Sequence, residues 1–147
     1  MSIEIIFETH SLTEDNEHEI ASGWLPGRHC ESGRRLAAEL GTRRRDTGLS
    51  VVFVSDLRRA MRTARIAFSG TSIPVHYDPR LRECNYGRLN GCPVSVLAAQ
   101  RARHIDTPFP DGESYRQVVH ATREFLDDLA LRHDDQRILV IAHSAGW

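Results

Sequence analysis

The chain has 147 residues, enough for one domain with one sizeable core, and its 40% apolar and 27% charged residues are ordinary for a globular protein. A formal net charge of −1 gives no whole-molecule attraction to nucleic acid or to an anionic membrane. No apolar run approaches the roughly 18 to 20 residues that span a bilayer, and the N-terminus lacks the basic start and apolar stretch of a signal peptide, so a cytoplasmic location is expected.

Elements follow in alternation along the chain. Ile3 to Glu8 reads as a buried strand, and a threonine and a histidine follow it directly. Glu31 to Arg45 has helical spacing of Leu36, Ala37 and Leu40, and Asp46 to Gly48 closes it. Residues 49–55, "LSVVFVS", are a β-branched strand. Leu57 to Phe68 is a helix with Ala60, Met61, Ala64 and Ala67 on its apolar side. "SIPVHY" is a short strand whose proline suits an edge. Pro93 to Arg103 reads as a helix with proline in its first turn. Ser114 to Leu131 is a longer helix, capped by Ser114, with an apolar stripe of Val118, Phe125 and Leu129. "RILVIA", 137–142, is the last strand.

Strands separated by helices predict a single α/β domain over 1–147, a three-layer α/β/α sandwich around a mostly parallel sheet. In such sheets ligands bind beyond the carboxyl ends of the strands. Here those ends carry His10, Ser55 and His143. Near them stand the arginine-rich helix start "SDLRRAMRTA" (55–64) and the loop "LRECNYGRLNG" (81–91). Two histidines, arginines and a loop carboxylate suit phosphoryl transfer. A neutral imidazole can attack phosphorus, arginine can neutralise the oxygens, and a carboxyl can protonate the leaving oxygen and then activate water.

Arginine supplies all 19 basic side chains, most simply through codon bias, although its fork does pair with phosphate bidentately where lysine cannot. Cys30, Cys84 and Cys92 form no CxxC or paired histidine spacing, so they read as free thiols. No metal motif and no cofactor motif is present, and this chemistry needs neither.

The ordered motifs resemble the histidine phosphatase superfamily, in its phosphoglycerate mutase-like branch. "THSLTEDN" stands where the family has R-H-G-x-[ST]-x-x-N, followed by "SGWLPG" and "ESGRRLAAELG". "SDLRRAMRTA" matches S-x-L-x-R-A-x-x-T-A throughout, and "LRECNYGRLNG", "GES" (112–114) and "ILVIAH" complete the series. The resemblance implies that His10 is the phosphorylated nucleophile and Glu83 the general acid and base. It implies that Arg59 and His143 hold the phosphate, that Asn16 contacts it, and that Ser22 and Gly23 lie where substrate approaches. Arg58, Arg62 and Arg65 miss the motif position and read as surface charge.

Two departures stand out. Thr9 replaces the family's phosphate-binding arginine, and Ser11 replaces its glycine, so Thr9 brings only a neutral hydroxyl to the phosphate. Arg28, Arg58, Arg62 and Arg82 are the candidates to supply the lost charge. The pattern also stops at "HSAGW", whereas family members continue, so C-terminal elements are expected to be missing and a homodimer or a poorly behaved monomer to result.

The expected function is hydrolysis of a small phosphomonoester, with release of inorganic phosphate, through phosphohistidine. The alternatives are phosphoglycerate mutase-type transfer, and a catalytically weak domain that binds a phospholigand or a partner. About 20 residues separate "LRECNYGRLNG" from "GES", where cofactor-dependent mutases carry a long insertion, which favours the hydrolase.

Overall fold

A computed structural model of the chain describes residues 2–144. The last three residues of "HSAGW", on which the expectation of missing C-terminal elements turned, lie outside the described residues.

Four strands form the central sheet: β1 (Glu4–Thr9), β3 (Val51–Ser55), β4 (Val75–Asp78) and β6 (Arg137–Ala142). They lie in the order β1-β6-β3-β4, and every pairing is parallel. The continuously apolar "RILVIA" takes an inner position with a strand on either side, and five of its six residues are buried. "VHYD" takes an edge, as its upstream proline suggested.

Two helices, α2 (Glu31–Arg44) and α3 (Arg58–Phe68), cover one face of the sheet. Leu40, Ala60, Ala64, Ala67 and Phe68 pack there against Val52, Val54, Leu139 and Ile141. The other face is covered by α5 (Tyr115–Arg132), whose Phe125 and Leu129 meet Val51, Ile138, Val140 and Ala142. The alternate residues of β3 and β6 thus feed two separate cores, as the two-residue period of a strand requires. This is the expected three-layer sandwich. Among the described residues no helix is long and apolar enough to cross a membrane.

A smaller unit sits beyond the carboxyl ends of the strands. It contains α1 (Glu14–Glu17), the two-residue strands β2 (Ile20–Ala21) and β5 (Cys92–Pro93), and α4 (Val94–Gln100). β2 and β5 pair antiparallel, and Ala21, Cys84, Tyr86, Leu97, Phe109 and Val118 form a third core beneath them. The helix expected over Pro93–Arg103 is shorter, because Pro93 belongs to β5 and caps α4, and residues Arg101–His104 tighten into a 3₁₀ turn.

The helices begin and meet at defined contacts. Ser114 caps α5 and Gln117 returns the bond, a reciprocal capping box. Cys30 caps α2 through its sulfur, which accepts from the Gly33 amide at 3.3 Å. Helices α2 and α3 approach at Gly41, where an added Cβ would sit 2.2 Å from the Ala67 carbonyl oxygen. Gly41→Ala is therefore expected to cost about 1 to 3 kcal/mol of stability, the usual range for overpacking, read from chemical denaturation midpoints. Gly27→Ala, whose new methyl would meet nothing nearer than 3.7 Å, should be close to neutral. Equal effects from the two would contradict this packing.

Candidate active site

The first polar residue beyond β1 is fixed by the sheet itself. The His10 amide donates to the Ala142 carbonyl at 3.0 Å, which carries the β1–β6 ladder one step past the strand. Its ring is fixed next. His10 Nδ1 lies 2.7 Å from the Ser11 carbonyl oxygen. A carbonyl only accepts, so Nδ1 carries the proton and Nε2 keeps its lone pair.

The residue after it is tied to α3 and α2. The Ser11 amide donates to Thr63 Oγ1 at 2.9 Å, and Ser11 Oγ donates to the Gly33 carbonyl. Thr63 Oγ1 donates in turn to the Arg59 carbonyl at 2.8 Å, and buried His29 donates from Nε2 to the same carbonyl at 3.0 Å. The His10 loop and the arginine-bearing helix are thereby held in one hydrogen-bonded unit.

Arg59 is only 4% exposed. Its Nη2 donates to the Gly23 carbonyl at 2.9 Å and Nη1 to the Leu25 carbonyl at 3.4 Å, which aims the guanidinium at the cavity below the 22–25 loop. Gly23 has φ +57°, and a Cβ there would collide with Asn90 Oδ1, so glycine is required for the loop to pass. Ser22 Oγ donates to Asp15 Oδ2 at 2.6 Å. Asn16 completes a capping box on α1: its Oδ1 accepts from the amide and the hydroxyl of Thr13, which leaves its NH₂ as the remaining donor.

Glu83 is braced from both sides. Trp24 Nε1 donates to its carbonyl at 2.7 Å, and the preceding Arg82 stacks 4.6 Å over the Trp24 ring while pairing with both oxygens of Asp56. Glu83 Oε1 accepts from the Cys84 amide.

His10, Asn16, Ser22, Gly23, Arg59 and Glu83 share one cavity of about 140 Å³. The His143 ring lies 5.0 Å from that of His10, centroid to centroid, and its Nε2 is 2.8 Å from Ser55 Oγ. Ser55 already accepts from the Leu57 amide, so its hydroxyl proton can point at His143 Nε2. His143 Nδ1 then carries the other proton, and among the described residues it has no partner.

Thr9 does not join the group. It is exposed and does not border that cavity; it lines an adjoining one, which His10, Ser11 and Asn16 also border, together with Leu36, Leu40 and Arg43. None of Arg28, Arg58, Arg62 and Arg82 borders the His10 cavity either, and Arg82 is engaged by Asp56 and Trp24. Two residues that the sequence analysis passed over do border it, Tyr86 and Arg101. Tyr86 had a signal, since it lies in the "ECNYG" stretch. Arg101 had none, because near the end of the expected Pro93–Arg103 helix nothing distinguishes it from Arg103.

Burial sets the protonation of the cavity, with charges adjusting it. Burial first, then the Arg59 guanidinium, holds the His10 imidazole down at about 4 against the ordinary 6.5, although the Ser11 hydrogen bond acts the other way. Burial and Arg59 likewise hold His143 down at about 2. Burial pushes the Glu83 carboxyl above its ordinary range, with the Cys84 amide and Arg59 opposing. Near neutral pH the cavity therefore holds the neutral His10 imidazole, with a neutral His143 beside it, a carboxyl whose acid form burial favours, and the Arg59 guanidinium. Among the described residues, no group of three or more His, Cys, Asp or Glu side chains is placed to hold a metal ion.

Comparison with known proteins follows the same lines. A family model described as "Histidine phosphatase superfamily (branch 1)" matches residues 5–146. "Probable phosphoglycerate mutase GpmB" of Erwinia tasmaniensis is 30% identical over 96% of this chain and 69% of its own length. The chain spans about half, 51%, of the protein of that name from Cronobacter sakazakii. Among solved structures, the α-ribazole phosphatase from Shigella flexneri superposes with a TM-score of 0.83 at 25% identity, over 95% of this chain and 73% of that one. A mycobacterial glucosyl-3-phosphoglycerate phosphatase in complex with VO3 superposes at 0.78 with 26% identity, over 95% and 75%.

The buried neutral histidines link stability to pH. In the unfolded chain an imidazole takes up its proton near pH 6.5, whereas His143 in the folded protein resists it down to about 2. Protons thus bind the unfolded state first, and stability falls as pH drops below 6.5. The slope of melting temperature against pH between 6.5 and 4 should be shallower in His143→Asn than in wild type; equal slopes would contradict the buried neutral form.

Proposed function

The chain belongs to the histidine phosphatase superfamily (branch 1), and from that membership we propose that it hydrolyses phosphomonoesters without a metal ion, by way of a phosphohistidine at His10. The observation that carries this reading is the bond from His10 Nδ1–H to the Ser11 carbonyl, which leaves the Nε2 lone pair unprotonated in the cavity shared with Arg59 and Glu83.

The reaction balances in two steps. His10 Nε2 attacks phosphorus, the bond to the ester oxygen breaks, and the Glu83 proton goes to the leaving alcohol. Water then attacks the phosphohistidine, its proton returns to Glu83, the P–N bond breaks, and inorganic phosphate leaves. Arg59, fixed by two loop carbonyls, and the Nδ1–H of His143 donate to the equatorial oxygens without having to reorganise. The Asn16 NH₂ supplies a further donor from the capping box. The raised Glu83 acid keeps its proton for the first step at a pH where His10 is already neutral.

A mutase reading draws on the 30% identity to a protein named as a phosphoglycerate mutase. It differs in the acceptor of the phosphoryl group, a second hydroxyl instead of water. Incubation with 3-phosphoglycerate separates the two, since hydrolysis releases inorganic phosphate and transfer yields 2-phosphoglycerate.

The direct test is hydrolysis of an aryl phosphate in EDTA by wild type, His10→Ala and Glu83→Gln. Wild-type activity should survive the chelator and vanish in His10→Ala. The acid limb of kcat/KM should fall near pH 4, where His10 protonates, and an alkaline limb should lie above the ordinary carboxylate range, where Glu83 loses its proton. Glu83→Gln should lose that alkaline limb and slow release of poor leaving groups most. Activity that needs metal, or that persists in His10→Ala, would remove the proposal.

A further inference from the structure

The charge around a bound phosphoryl group does not balance with the residues considered so far. A phosphomonoester enters as a dianion near neutral pH. His10 and His143 are held neutral by burial and the Glu83 carboxyl brings no positive charge in either form, so Arg59 is the one positive charge in the account. A net negative charge left in a largely buried cavity is expensive. Position 9 contributes no charge, since Thr9 is neutral, and it is exposed and does not border the cavity that holds Arg59 and Glu83.

Among the described residues that border the cavity of His10, Arg59 and Glu83 there is one other cation, Arg101; Arg43, which lines the adjoining cavity with His10 and Thr9, is paired with Glu8. Arg101 opens the 3₁₀ turn Arg101–His104 after α4 and also lines an adjoining cavity of about 500 Å³ with Glu83, Tyr86, Ile105, Tyr115 and Ser144. It therefore stands at the seam between the two spaces. Its field reaches the reacting groups: burial raises the Glu83 and Tyr86 acids, and Arg101 opposes the rise in both. It forms no ion pair among the described residues. Its side-chain interaction with the Tyr115 hydroxyl opposes the burial that raises that acid, and a guanidinium with five N–H donors keeps others for a ligand.

We propose that Arg101 is a catalytic residue that donates to the phosphoryl oxygens, supplying the second positive charge that position 9 lacks. This rests on the hydrolase reading of the same cavity. With Arg59 on one side and Arg101 on the other, the dianion is matched by two cations. The arrangement also explains how a neutral Thr9 is compatible with a working site. Arg101 acts only by hydrogen bonding and charge, so the transfer steps and their proton balance are unchanged.

The test uses Arg101→Ala, with Arg103→Ala as a control; Arg103 is exposed and borders neither cavity. Three quantities are read: affinity for inorganic phosphate by calorimetry, and kcat/KM for p-nitrophenyl phosphate and for 3-phosphoglycerate. One leaving group is free of carboxylate and the other carries one. Arg101→Ala should weaken phosphate binding at least tenfold. It should lower both kcat/KM values by a common factor of about 10² to 10³, the usual loss for one preorganised donor, with an unchanged melting temperature. Arg103→Ala should match wild type. A loss confined to 3-phosphoglycerate, with phosphate affinity intact, would assign Arg101 to the leaving group and overturn the proposal, as would no loss at all. Should wild type hydrolyse neither ester, the hydrolase reading falls but the phosphate arm still decides: binding that depends on Arg101 upholds its contact with phosphate, and binding indifferent to it, or none, overturns it.

Discussion

The hydrogen bond from His10 Nδ1–H to the Ser11 carbonyl is the interaction on which the site depends. It converts a histidine with two equivalent tautomers into one with a single free lone pair on a known side. It can do so only because the Ser11 peptide is itself immobile, held by Thr63 and Gly33. Those partners sit on α3 and α2, and the two helices are set by the packing of Gly41 against Ala67 and by the core they share with β3 and β6. A chain of constraints thus runs from the alternation of apolar residues in "VVFVS" and "RILVIA", through a helix contact that tolerates no Cβ, to the orientation of one imidazole ring.

The same economy appears at the other groups. Arg59 is aimed by backbone carbonyls instead of a carboxylate, so its charge is not neutralised before a ligand arrives. Glu83 is steadied through its carbonyl by Trp24, and the arginine next to it is bound by Asp56, so neither interaction consumes the carboxyl proton. Burial does the rest. It keeps both imidazoles neutral well below the pH at which a free histidine would take up its proton, and it shifts the carboxyl toward its acid form.

The sheet and its helices were legible because periodicity reports burial directly. "RILVIA" read as the last strand and proves to be an inner one, and "SIPVHY", whose proline suited an edge, lies at one. The placement of His10 and His143 followed from the rule for strand ends. What stayed hidden was small or cooperative. β2 and β5 are two residues each and exist through their pairing, and α4 starts late because Pro93 is drawn into that pairing and ends early because Arg101–His104 tighten into a 3₁₀ turn. Cys30 as a helix cap carries no sequence signal beyond its position. Arginine roles were the least legible. Arg82 looked available but is bound by Asp56, whereas Arg101, which nothing in the sequence marks, is exposed and yet borders the cavity; only the tertiary fold distinguishes them.

The most direct test of this account is the protonation state of one ring. Long-range ¹H–¹⁵N correlation spectra of the ¹⁵N-histidine-labelled protein, assigned with His10→Ala, report the tautomer and charge of His10. At pH 6 the account predicts a neutral His10 with its proton on Nδ1 and an unprotonated Nε2, remaining so until the pH approaches about 4. A His10 that is imidazolium at pH 6, or that carries its proton on Nε2, would contradict it, because the atom assigned to attack phosphorus would have no lone pair to offer.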